Sequence, residues 1–380
     1  MPSFHRLRRV AAALVAAGTL AACEENVSAG SRQSNPIWIR DFAPATRATV
    51  LAGGVGAVGI LTGDSLLVLD NAIGTRLWAV AWRDTLADGV IDAQAVIAPS
   101  RVGATAFARA DGRRLWVDSA DAGTGVPTVA IAVRDTIAVL LREDGALRAL
   151  VVRTGRELWR TPARCTSARC ADHRLVTLAG GVVVASGRRV DGTGSFLLAH
   201  RLATGVAVET GLPASPPFVA AITAAADSDL VVMDQSADAI LVNAGAGAVA
   251  RWEADLRLTQ SAAAPPLIGE PSPFAQGSTV LAQNRSTGTP VATAFDRRAG
   301  TVTWQVVGMI PLGVCGTRYL TATPDGYVLT DPATGRPTIR IQRFRTAADS
   351  LAMGTPTRPI TAGLIVVSYD TPTAVRVHSC

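Results

Sequence analysis

Asp70-Asn71-Ala72-Ile73-Gly74-Thr75-Arg76-Leu77-Trp78 follows the apolar run Ser65 to Leu69 and opens another apolar alternation. Its chemistry is that of a hairpin. Asp70 ends one strand and can turn its carboxylate back on the backbone of the turn, Gly74 takes the positive φ that closes it, and the next strand begins at once. Trp78, four residues past the glycine, then points out of that second strand. The unit is written again as Asp296-Arg297-Arg298-Ala299-Gly300-Thr301-Val302-Thr303-Trp304. Weaker copies place Gly112 before Trp116 and Gly155 before Trp159, again four residues apart. Three more keep the glycine and lose or shift the tryptophan: Gly205 leads to Glu209, Gly247 to Trp252, and Gly335 to Ile339.

The seven glycines recur with a mean period of about 43 residues, the length of a four-stranded propeller blade. Helical solenoids would need a 3.6-residue apolar rhythm. Ser65 to Leu69, Val182 to Val184 and Leu364 to Val367 are instead short runs of strand length, bounded by Gly, Asp and Pro. The predicted fold is all-β, a propeller of about eight four-stranded blades, with seven as the fallback. In such a ring each Trp packs into the gap between blades and offers its indole N–H to a backbone acceptor. After the seventh motif, 358–360, 364–369 and 374–378 supply three strands. The orphan segment Pro36 to Phe42 carries Trp38 without a preceding hairpin. Pairing that N-terminal strand with the C-terminal three completes a last blade and removes two open edges.

The chain of 380 residues is 48% hydrophobic and 17% charged, which excludes disorder and leaves room for one large domain or two ordinary ones. All 36 basic residues are Arg. Without Lys there is no P-loop lysine, no Schiff-base catalysis, no pyridoxal-phosphate attachment and no kinase lysine. The formal charge of +6 falls to +3 once the first 22 residues, with Arg6, Arg8 and Arg9, are set aside. The remaining Arg are scattered, so no basic stripe predicts a nucleic-acid partner.

His5 and those three Arg form a positive start, followed by the uncharged run Val10 to Leu20, which is short for a membrane span. Residues 1–22 read as a signal peptide. Leu20-Ala21-Ala22-Cys23 resembles a bacterial lipobox, which implies lipidation of Cys23. Residues 23–34 then form the lipidated Cys and a flexible tether, and 35–380 the propeller. The predicted location is the outer membrane, lipid-anchored in an exported compartment.

The two full copies, 70–78 and 296–304, resemble the tryptophan-docking repeat of PQQ-like β-propellers, over about Asn35 to Cys380. Lipobox, length and repeat together are similar to BamB-type lipoproteins of the outer-membrane barrel-assembly machinery. That resemblance implies a non-catalytic, monomeric scaffold whose partner is an envelope protein complex, with no cofactor. The same repeat occurs in quinoprotein dehydrogenases, which hold pyrroloquinoline quinone against a central Trp beneath a vicinal disulfide. This sequence has no adjacent Cys pair. A glycan- or polymer-binding propeller is the remaining alternative.

Four cysteines remain after Cys23, an even number in an exported chain, which favours disulfides. Cys165 and Cys170 would stiffen a surface loop, or with Asp172 and His173 ligate zinc. Cys315 and Cys380 fall in the last two blades and would staple them. Asp70, Asp296 and Asp331 read as turn formers, since a catalytic pair has no reason to recur at a blade's period. His200 reads as an ordinary strand residue. The pairs Arg113-Arg114, Arg188-Arg189 and Arg297-Arg298 read as solvated turns, with partner contact as the functional alternative.

Overall fold

The computed structural model describes residues 31–42, 48–54, 56–83, 89–100, 103–118, 126–165, 170–178, 180–190, 194–208, 219–224, 230–234, 240–244, 248–252, 274–284, 290–297, 299–342, 354–356, 364–370 and 373–380. The signal segment, Cys23, Glu209, Gly247 and Arg298 lie outside them. Among the described residues the strands form eight sheets, without a helix, and the architecture is a β-propeller.

The first sheet shows the pattern: Ala48–Gly54, Ala57–Thr62, Ser65–Asp70 and Arg76–Ala81 pair in chain order as an antiparallel meander. Further sheets follow over 90–118, 128–160, 170–201, 219–252, 274–307 and 310–342. The 170–201 sheet has three described strands, and Val208 N–H donates to Ala199 O where a fourth would begin. The terminal sheet draws on both ends of the chain. Trp38–Asp41 pairs with Thr373–Ser379, which pairs with Leu364–Asp370, which pairs with Gly354–Pro356. Its first strand therefore precedes the expected 358–360. Pro356, which has no N–H to give, is tolerated as the last residue of that short edge strand.

Burial follows from stacking sheet on sheet. Ala95–Ser100 and Gly326–Thr330 are buried at every residue because both their faces meet neighbouring sheets, whereas Arg76–Ala81 buries only Trp78. The core accordingly lies between sheets. Leu66, Val68 and Trp78 of the first sheet meet Ile91, Val96 and Phe107 of the second. Trp38, Val375 and Val377 of the terminal sheet meet Val58, Ile60 and Leu69 of the first.

Candidate functional site

The repeated turn has one geometry in its six described copies. In the first, Asp70 N–H donates to Thr75 O, Gly74 N–H donates to Asp70 O, and Asp70 Oδ1 accepts from the amides of Ala72 and Ile73 at 2.8 and 3.1 Å. Asp296 accepts from Ala299 N–H at 2.7 Å, and Asp331 from Ala333 and Thr334. The Thr334 side-chain hydrogen bond holds the Asp331 carboxyl below its ordinary range. Gly74, Gly112, Gly155, Gly205, Gly300 and Gly335 all have φ near +70°, where a side chain is strained.

Five of these turns are each a seat for the tryptophan of the preceding sheet. Trp38 lies on Gly74, Trp78 on Gly112, Trp116 on Gly155, Trp159 on Gly205 and Trp304 on Gly335. A Cβ on any of these glycines would fall 2.6 or 2.7 Å from the ring. The indole N–H then donates to the carbonyl three residues before that glycine: Asn71, Arg109, Val152, Leu202 and Pro332 respectively, at 2.6 to 2.8 Å. Gly and Trp of one motif thus face opposite neighbours, a relation that spacing within one motif cannot show. The glycine is needed twice, for its φ and for the bare face on which the ring rests.

Other chemistry-bearing residues reinforce these seams. His200 stacks on Trp159 with ring centroids 5.8 Å apart, and its Nδ1 lies 2.9 Å from Gly205 O. Arg148 of the third sheet reaches across to buried Asp118 of the second and also bonds Glu157, which in turn holds Arg160 at 2.8 Å. Burial acts against the charge of Arg148, but Glu157 and Asp118 outweigh it and raise its pKa. Burial likewise opposes ionisation of Glu157, and Arg148 and Arg160 outweigh that and lower its pKa. Tyr319 is fully buried, donates to Thr279 O at 2.8 Å, and is pushed up to about 12 by burial.

Cys165 and Cys170 bond to each other, with Cα atoms 6.0 Å apart. The loop they close, 166–169, lies outside the described residues. Both are buried among Val139, Leu147, Val183 and Phe196, between the third and fourth sheets, because Cys165 N–H is tied to Asp144 O and Cys170 opens the next strand. With the sulfurs joined, the zinc alternative loses its thiolates; His173 Nε2 lies 3.1 Å from Glu143 O. Arg113 and Arg114 are exposed and Arg188 and Arg189 half-buried, but Arg297 is buried and so corrects the solvated-turn reading of its pair.

The seam between the 310–342 sheet and the terminal sheet is built differently. The position four beyond Gly335 is Ile339 rather than a tryptophan. Cys315 is bonded to Cys380, Arg318 donates to Cys380 O, and Ser34 N–H donates to Arg340 O. Arg32–Gln33 adds a parallel strand against Ile339 and Arg340. His378 is buried beside this seam, 3.4 Å from Ser34 Oγ, and burial together with Arg376 pushes its pKa down to about 4.

A quinone site of the type the resemblance implies does not fit these residues. Trp38, Trp78, Trp116, Trp159 and Trp304 all lie on the last strands of their sheets, seated between sheets, and the four bonded cysteines form bridges at 165–170 and 315–380.

No curated protein matches the sequence. Among solved structures, BamB from Moraxella catarrhalis is similar at 15% identity and a TM-score of 0.61, covering 91% of this chain and 100% of that one. Quinohemoprotein alcohol dehydrogenase from Comamonas testosteroni is similar at 12% and 0.62, covering 92% of this chain and 76% of its own. Sqt1 from Saccharomyces cerevisiae is similar at 11% and 0.60, covering 92% and 99%. These likenesses show the propeller fold. Residues 18–210 match the family model described as outer membrane protein assembly factor BamB, and the chain belongs to that family.

Proposed function

We propose that this chain is a lipid-anchored, non-catalytic scaffold that holds envelope proteins together in outer-membrane barrel assembly. The observation that carries the reading is the family match, joined to a site inventory in which Trp, His, Arg and Asp side chains serve the turns and seams. On this reading residues 1–22 are removed, Cys23 carries the lipid, and all eight sheets are blades of one closed monomeric ring; the tether expected over 23–34 ends before Arg32–Gln33, which is already a strand of the ring. The terminal sheet supports closure, since its strands come from both ends of the chain and Trp38 docks on the first sheet. The partner is a protein subunit of the assembly machinery, and no cofactor is used.

Capture of the tagged protein from gently solubilised native membranes tests the reading. A barrel-assembly subunit should co-purify with the parent and be depleted with Cys23→Ala. Reproducible recovery of no envelope protein above control would overturn the scaffold role.

A further inference from the structure

From the placement of exposed apolar and cationic side chains beside the amino-terminal strand, we infer that the outer strands of the terminal, first and second sheets form a face that rests on an anionic phospholipid bilayer. Of nine large hydrophobic side chains exposed among the described residues, five fall on these three consecutive sheets: Ile37, Ile39, Ile73, Leu77 and Val117. Scattered singly they would be ordinary surface residues. Here the docks join them. Trp38 sits on Gly74 and Arg40 Nη1 donates to Gly74 O, which brings the strand bearing Ile39 against the turn bearing Ile73. Trp78 repeats the contact with the turn at Arg109 to Gly112, next to the strand that ends in Val117 and Asp118.

Cations accompany the apolar groups. Arg40, Arg76, Arg113 and Arg114 lie on or beside these outer strands. The nearby acids are Asp41, Asp70, Asp111 and Asp118; Asp70 and Asp111 direct a carboxylate oxygen at turn amides, and Asp118 is buried against Arg148. Exposed Ile, Leu and Val among arginines suit the interface of an anionic membrane, where acyl chains meet phosphates. The residue after the docked Trp is Ile39, Ala79 and Val117 here, against Arg160 after Trp159 and Gln305 after Trp304; the outer strand of the 274–307 sheet exposes Val302 and Val307 but carries no arginine.

The occupant follows from where the chain emerges. Arg32–Gln33 is fixed to the outer edge of the neighbouring sheet and leads directly into Ile37 and Ile39. Cys23 is nine residues before Arg32, a reach of at most about 30 Å. A lipid at Cys23 would hold this side of the ring close to the bilayer, and in that respect the inference rests on the proposed anchoring.

The test uses the chain from residue 23 with Cys23→Ala, which retains every described strand, in flotation with vesicles of phosphatidylcholine alone or with phosphatidylglycerol. Flotation is expected with the anionic vesicles. Arg76→Gln with Arg113→Gln should weaken it on the order of tenfold or more, at about fivefold per arginine. Ile73→Ser, in an exposed turn where folding is not at stake, should weaken it severalfold, while Val206→Ser should leave it unchanged. Circular dichroism confirms that each variant is folded. Absence of flotation, or flotation equal in parent, Arg76→Gln/Arg113→Gln and Ile73→Ser, would overturn the lipid-facing assignment. The mass of the amino-terminal peptide from native membranes reads Cys23 lipidation separately, so failure of the anchor and failure of the face are told apart.

Discussion

At Gly112 two demands meet on one residue: φ is +72°, and the Trp78 ring covers the face where a Cβ would be. Gly112→Ala should therefore cost more than a turn glycine alone, about 2 to 4 kcal/mol, read as a lowered urea midpoint. Trp78→Phe keeps most of the ring but strands Arg109 O, and should cost about 1 to 3 kcal/mol by the same measurement. His378 supplies a pH-dependent case. Its folded pKa of about 4 lies below the ordinary 6.5, so between these values the unfolded chain binds the proton more readily. Stability should be complete above about pH 6.5 and fall by roughly 3 kcal/mol as pH drops to about 4, with no further loss from this group below that. His378→Gln should flatten that slope in urea titrations at pH 7.0 and 4.5.

Among elements, the closing seam differs from the five described seams that carry a seated indole. Cys315–Cys380 closes a loop of 65 residues and ties the 310–342 sheet to the strand that completes the terminal sheet. Its loss in Cys315→Ser with Cys380→Ser should cost about 4 kcal/mol on the loop-entropy model, against about 2 for Cys165→Ser with Cys170→Ser. Calorimetry with and without reductant checks both. The second figure carries an added cost from polar hydroxyls placed in the buried cluster around Val139 and Phe196. At the third-sheet seam Glu157 is held ionised by Arg148 and Arg160, so its contribution is present above about pH 4.5 and is lost as pH falls through its lower folded value.

For the whole molecule, Thr373–Ser379 is an interior strand of the terminal sheet, with partners on both sides from opposite ends of the chain. Removing residues 371–380 takes away the Trp38 strand's neighbour and the Cys380 bridge together. That truncation should abolish the cooperative unfolding transition rather than shift it, as seen by near-ultraviolet circular dichroism during urea titration. Losing an outer strand such as Arg32–Gln33 exposes one edge only and should leave a cooperative, less stable fold.

The periodic turn is local chemistry: an Asp carboxylate finds amides two and three residues away, and a glycine adopts its φ without help from distant contacts. That is why the propeller class and the turn-forming role of Asp70 and Asp331 were legible in the sequence; the pairing of chain ends was legible because the terminal strands left over from the repeats could only complete each other. The seating of Trp78 on Gly112 rather than on its own motif was not, since it joins residues from different sheets and has no expression in spacing within one repeat. The same holds for the buried position of Cys165 and Cys170, for the burial of Arg297 within its turn, and for Arg148 reaching Asp118. Each depends on the approach of two sheets, and the free energy that fixes it is burial and hydrogen bonding between surfaces far apart along the chain.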